Sequence, residues 1–217
     1  MFTPALIAGT AAALFAAALS PARSVPGDTP PPGSVLIEVA VVNGYCSSMF
    51  DSVAMAPGNI GFTLSAGGFG SRVGVGSKPD EARRNCQVFL RVKAPKDYTY
   101  AIAGTDYEGS ASLAKGARGY VRVANYFQGR PSVNSRTHSF VGPFQEGWSE
   151  ADIFPSESLD YSPCGEERSL VLNLATGVEA GTSDPSTTSS SVTYGPYLPP
   201  DSAQTVYHLA WKRCPAT

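Results

Sequence analysis

The chain has 217 residues, with 22 glycines, 18 prolines and a formal net charge of −2. Its sequence pI is about 5.7, and no lysine- or arginine-rich run occurs, which argues against a nucleic-acid partner or an anionic membrane surface. Beyond one N-terminal block, no stretch is long and apolar enough to span a membrane.

Residues 5–19, ALIAGTAAALFAAAL, form that block. It has the length of a signal-peptide core, and Ser20-Pro21-Ala22 offers small residues at the −3 and −1 positions. The expectation is a signal peptide over 1–22, cleaved after Ala22, and a secreted mature chain beginning at Arg23. Residues 23–34, RSVPGDTPPPGS, read as an extended, poorly packed Pro-rich lead-in to one domain over 35–217.

Alternation of period two begins at once. VLIEVAVVNG puts Val35, Ile37, Val39 and Val41 on one face. CQVFLRVKAP does the same with Val88, Leu90 and Val92, and sets Gln87, Arg91 and Lys93 opposite. Tyr98, Tyr100 and Ile102 alternate with Thr99, Ala101 and Ala103. YVRVANYF, SLVLNLAT and TVYHLAWKRC repeat the pattern, the last with Tyr207, Leu209 and Trp211 inward and His208, Ala210 and Lys212 outward. The breaks carry turn chemistry, such as Gly104-Thr105-Asp106 and Gly142-Pro143. The nearest approach to a helix is SKPDEARRN (77–85), where Ser77 is placed to cap a short turn with Pro79 near its start. Residues 181–202, rich in Ser, Thr and Pro, read as a long mobile loop suited to O-glycosylation. The fold class expected is all-β: a single-domain, two-sheet antiparallel sandwich, with a β-barrel as the alternative.

Four cysteines at 46, 86, 164 and 214 behind a signal peptide point to two disulfides. Three pairings are open; Cys46–Cys86 with Cys164–Cys214 is favoured because each closes a loop within one half of the chain. A four-thiolate zinc site lacks any C-x-x-C pair. No metal or other cofactor is expected.

Chemistry-bearing residues are sparse. His138 and His208 are the two imidazoles, and no G-x-S-x-G elbow accompanies them. Copper-dependent polysaccharide cleavage needs a histidine at the mature terminus, where Arg23 stands. No D-x-D-x-D-G calcium loop occurs. Asp106 and Glu108 alternate onto one strand face about 7 Å apart, and Glu146, Glu150 and Asp152 cluster near Trp148, which gives carboxylates for glycoside chemistry but no defined pair. The favoured ligand surface is GPFQEGWSEADIF (142–154), read as a Gly/Pro-bounded loop. There Phe144, Trp148 and Phe154 would stack on sugar rings, and Gln145, Glu146 and Asp152 would hold hydroxyls, with Asp106 and Glu108 nearby. The competing reading, given more weight, has Trp148 or Phe154 plugging the end of the sandwich. Tyr120, Tyr126, Tyr194 and Tyr197 are candidates to extend an aromatic surface, but strand tyrosines are more often half-buried cross-strand partners, and that reading is preferred.

Seven motifs together carry a resemblance: PPPGSVLI (30–37), ARRNCQVFLRV (82–92), TDYEGSASL (105–113), NYFQG (125–129), SFVGP (139–143), YSPCG (161–165) and VYHLAWKRC (206–214). In this order they resemble the secreted family catalogued as domain of unknown function 4360, found in fungi and actinobacteria. The resemblance spans nearly the whole mature chain and implies secretion and a β-rich fold, with no catalytic residue to transfer. Relatives often carry a basic residue at the Glu108 position, an aromatic at Ser110 and a Trp at Tyr161, and they accept an aromatic at His208, so the resemblance speaks against a catalytic role for His208. The expected function is a non-catalytic extracellular binding or structural protein, monomeric, whose partner is a cell-wall or host glycan. A carboxylate-dependent hydrolase, or an effector that presents the 181–202 loop to an extracellular protein, is the alternative.

Overall fold

The alternation becomes antiparallel strands throughout a computed structural model that describes residues 28–46, 50–66, 68–131, 134–195 and 204–215. The expected signal peptide lies outside the described residues. One sheet has five strands in the order β1 (Leu36–Gly44), β5 (Arg83–Lys93), β10 (Leu170–Glu179), β7 (Arg118–Phe127) and β8 (Asn134–Val141). The other has β2 (Phe50–Met55), β3 (Gly61–Ala66), β12 (Gln204–Arg213), β6 (Tyr98–Leu113), β11 (Ser189–Tyr194) and β4 (Phe69–Gly74) in sequence, and β9 (Phe144–Ile153) also pairs with β6. Two distinct sheets make this a sandwich rather than the barrel alternative.

β6 organises the second sheet. Its residues 104–106 pair with both β12 and β9, and residues 109–112 with both β11 and β9. β12 and β11 therefore follow one another along one edge of β6 while β9 holds the other. Between the sheets, Val88, Leu90, Leu172, Leu174, Val121 and Phe127 meet Phe62, Leu64, Ile102, Tyr207, Leu209 and Trp211, all buried. Each such side chain contributes about 1.5–3 kcal/mol on burial.

The closing strand follows its alternation: Tyr207 stacks on Phe62 with ring centroids 4.8 Å apart, and Trp211 packs edge-on to Tyr98. Trp211 Nε1 donates to the Asn59 carbonyl at 2.7 Å. The pairings Cys46–Cys86 and Cys164–Cys214 both form. The first pins the end of β1 to β5, and the second fastens the end of β12 to the 161–165 segment.

Five expectations are corrected. In β1 the register shifts between Val39 and Val41; this bulge turns Val41 outward, 49% exposed, and hands its inner place to Val42. Thr99, Ala101 and Ala103 are buried like their alternating partners. The 154–162 segment bonds to this stretch: Phe154 N–H donates to the Ala103 carbonyl and Ser162 N–H to that of Tyr100. The lead-in is anchored rather than loose at Pro30, which is buried, because the Asn59 amide donates to the Pro30 and Pro31 carbonyls at 3.1 and 2.9 Å; Pro31 to Gly33 remain exposed. The turn Pro79–Glu81 is a short 3-10 helix capped at Lys78, not Ser77, with the Glu81 carboxylate accepting from the Lys78 N–H. Within 181–202, residues 189–194 form β11, since Ser190, Val192 and Tyr194 turn inward and are buried.

Glu81 also links the two sheets. Its carboxylate lies 2.8 Å from Arg72 on β4 and 3.1 Å from Arg84 on β5, and the hydrogen bond from Arg72, ahead of that from the Lys78 backbone, holds it down at about 2.

Two stability outcomes follow from the packing. Replacing Cys164 and Cys214 together by serine should lower the unfolding free energy by about 4 kcal/mol, the loop-closure value for a link spanning 50 residues. Urea denaturation measures it, and an unchanged midpoint would contradict the fastening role. Gly109→Ala should cost about 1–3 kcal/mol, because its Cβ would lie 2.0 Å from the Thr193 carbonyl oxygen and 2.3 Å from the Trp148 ring.

Candidate functional site

The segment 142–154 is strand β9, not a loop. It pairs with β6 over ten positions from Gly104↔Ile153 to Leu113↔Phe144, so its side chains are sorted by the pleat. Phe144, Glu146, Trp148, Glu150 and Asp152 share the side of Tyr107 and Leu113, toward the first sheet. Gln145 and Ser149 share the opposite, outer side with Asp106 and Glu108. The β6 and β9 residues expected to make one ligand surface are thus divided between two faces. Trp148 is 7% exposed; it lies against Gly109, its partner across the ladder, and its ring sits 5.3 Å from Phe140 and 6.3 Å from Tyr107. Phe154 is buried as well. Both rings fill the sandwich rather than offer a stacking face.

The inner side of β9 builds a polar cluster against β8. The Tyr107 hydroxyl donates to Asp152 Oδ2 and lies 2.6 Å from His138 Nε2. A phenol has one proton, so Nε2 is left to donate to the phenol oxygen. His138 Nδ1 faces Glu150 Oε2 at 3.5 Å, and Arg136 lies over the Phe154 ring at 4.9 Å. Burial, joined by the hydrogen bond to Asp152, raises the Tyr107 phenol well above its ordinary value. Tyr107 is 2% exposed and the His138 and Asp152 side chains are largely covered, so their polar atoms chiefly face one another, while Glu150 stays open to solvent. Here β8 and β9, on different sheets, are tied together across the sandwich edge. No motif in the sequence marks His138, because its partners come from strands whose adjacency no local pattern announces.

His208 and Asp106 pair on the outer face of the second sheet, Nε2 to Oδ2 at 2.6 Å. Both are partly exposed. Glycines stand opposite His208 on both neighbouring strands, Gly61 and Gly104. Among the described residues no group of three His, Cys, Asp or Glu side chains is placed to hold a metal ion.

A further surface lies elsewhere, on the outer face of the five-stranded sheet. Register aligns three rows across β5, β10 and β7: Arg83, Gly177 and Tyr120; Asn85, Ala175 and Arg122; Gln87, Asn173 and Ala124. The small residues of the central strand lower the floor between two taller ridges about 10 Å apart. The result is a groove of about 380 Å³ lined by Arg83, Asn85, Tyr120, Arg122, Asn173 and Ala175 among others, within the size range of small-ligand sites. Tyr120 lies flat on the sheet because Gly177 has no Cβ; one there would come within 2.3 Å of the ring. The Gln87 amide donates to the Tyr126 hydroxyl at 3.3 Å and crosses the groove at one end. The Arg122 guanidinium meets only the Ser135 hydroxyl among described partners, at 3.1 Å. Of these residues the sequence pointed only to Tyr120 and Tyr126, as candidates to extend an aromatic surface, outweighed by their reading as strand partners. The available signal was the polar phase of three separate strands.

Comparisons with known proteins agree with secretion. A secreted protein of Arthroderma benhamiae, described as uncharacterized, is 27% identical over 148 residues, which is 68% of this chain and 60% of that protein. The match thus spans about 60% of this relative's length. Two solved structures are distantly similar, each at 9% identity. One is the enzymatically active domain of bacteriophage CBA120 tailspike protein 4 (84% of this chain, 20% of that chain, TM-score 0.27). The other is TmCBM61 in complex with β-1,4-galactotriose (80% and 87%, TM-score 0.26). Likeness at that level carries no information about this chain's ligand. The family model for a domain of unknown function, DUF4360, matches residues 34–214, and this secreted, disulfide-bonded β-sandwich belongs to that family.

Proposed function

We propose that this protein is a non-catalytic extracellular binding protein that holds a glycan along the outer face of its five-stranded sheet. The observation that carries the reading is the groove itself, floored by Ala175 and the Tyr120 ring on Gly177. An aromatic face flat on a sheet suits the apolar face of a sugar ring, and the Asn85 and Asn173 amides can both donate to and accept from sugar hydroxyls. The groove lies on rigid strands, so little ordering opposes binding. The alternative hydrolase reading has less support, because two of the three carboxylates of β9, Glu150 and Asp152, are engaged with His138, Tyr107 and Arg136.

The test is retention of the purified mature chain on a panel of insoluble and gel-embedded polysaccharides. The expected result is retention of at least one polymer without release of soluble sugar. Tyr120→Ala should weaken it about tenfold, the equivalent of about 1.4 kcal/mol, and the exposed Asn85→Ala should weaken it less. Gln145→Ala and Glu108→Ala, on the other sheet, should leave it unchanged. Failure to retain any polymer, or retention indifferent to both groove variants, contradicts the proposal.

A further inference from the structure

The chain carries a net negative charge, yet the outer face of the five-stranded sheet does not share it. By register that face presents Arg83, Arg91 and Lys93 from β5 and Arg118 and Arg122 from β7, against Glu179 from β10 and Glu38 from β1. Glu38 is taken up by Arg91 at 2.5 Å and lies 3.8 Å from Lys93. Glu179 pairs with Arg83 at 2.8 Å, both side chains more than half exposed, and such a pair is weak and readily exchanged. Arg122 has no carboxylate partner among the described residues. Acidic side chains gather instead on β9, where Glu146, Glu150 and Asp152 share the inner side. The segregation gives the groove a local positive potential that the overall charge conceals.

We infer that the ligand of this groove is an acidic polysaccharide, one whose sugar rings bear carboxylates at regular intervals. The inference rests on the proposed glycan-binding reading and specifies its chemistry. Charge alone would suit any polyanion. What favours a sugar polymer is the combination of guanidinium groups with a flat ring and neutral amides: Arg83 shares a row with Tyr120, Arg122 shares one with Asn85, and Asn173 stands in the next row. Arg122 reaches a carboxylate with a planar fork of donors, while the ring and the amides take the sugar body and its hydroxyls. Arg83 is released to a second carboxylate when its exposed pair with Glu179 opens.

The experiment measures binding of the full mature chain to polygalacturonate, to the same polymer after carboxyl reduction, and to polyglutamate, at low and moderate salt. The expected result is at least tenfold tighter binding of polygalacturonate than of the reduced polymer, weakening as salt screens the charges. Arg122→Gln should lose at least fivefold, and Arg122→Lys should recover only part of it. Arg122 is exposed, and an unchanged melting temperature of both variants would show the fold intact. Equal binding of the charged and reduced polymers overturns the acidic specificity while leaving the glycan reading standing. Polyglutamate binding as tightly as polygalacturonate overturns the sugar identity. No binding to any of the three overturns the acidic specificity, and the broader polysaccharide panel then decides the glycan reading separately.

Discussion

Across the ladder from each of two rings that organise this molecule stands a glycine. Gly109 faces Trp148 between β6 and β9, and Gly177 faces Tyr120 between β10 and β7. In both pairs a Cβ would approach within 2.3 Å of the ring, so the ring lies on backbone that any other residue would cover. A glycine in a strand loses conformational entropy on folding and packs no side chain; an aromatic neighbour laid over it recovers part of that loss. Inside the sandwich this geometry seats Trp148 against Tyr107 and Phe140. Outside, it turns an ordinary cross-strand tyrosine into a flat platform.

Inner and outer consequences differ because their surroundings differ. The inner ring is enclosed by aromatic neighbours and by the Tyr107, His138 and Asp152 cluster, whose donors and acceptors are spent on one another. That cluster joins two strands of different sheets at an edge where no backbone ladder does so, and breaking one partner would leave the others buried without compensation. The outer ring has small residues on one side and guanidinium and amide groups on the other, with donors still free. Chemistry that is satisfied internally holds a fold; chemistry left open to solvent is available to a ligand.

Much of the fold was legible in the sequence, since period two needs only local information. Val88, Leu90, Tyr207, Leu209 and Trp211 fall where alternation sends them. The failures have local causes: a bulge after Val39 that reverses the phase of β1, a Ser/Thr-rich run whose inward Val192 and Tyr194 make it a strand, and a Pro-bounded segment that extends into β9. The surface was far less legible. The outward phases of β5, β10 and β7 are polar in the sequence, but their adjacency comes from non-consecutive pairing, in which β10 enters between strands that precede it by some 40 to 80 residues. Aromatic content drew attention to 142–154, and the pleat then placed its largest ring inside.

The central claim is that the ligand face is the outer side of β5, β10 and β7. Backbone amide shift mapping of the isotopically labelled mature chain during titration with an oligogalacturonide tests it directly. The account predicts that the largest shifts fall on residues 83–87, 120–124 and 173–177. Shifts centred on β9, or on the Asp106 and His208 side of the other sheet, would contradict it.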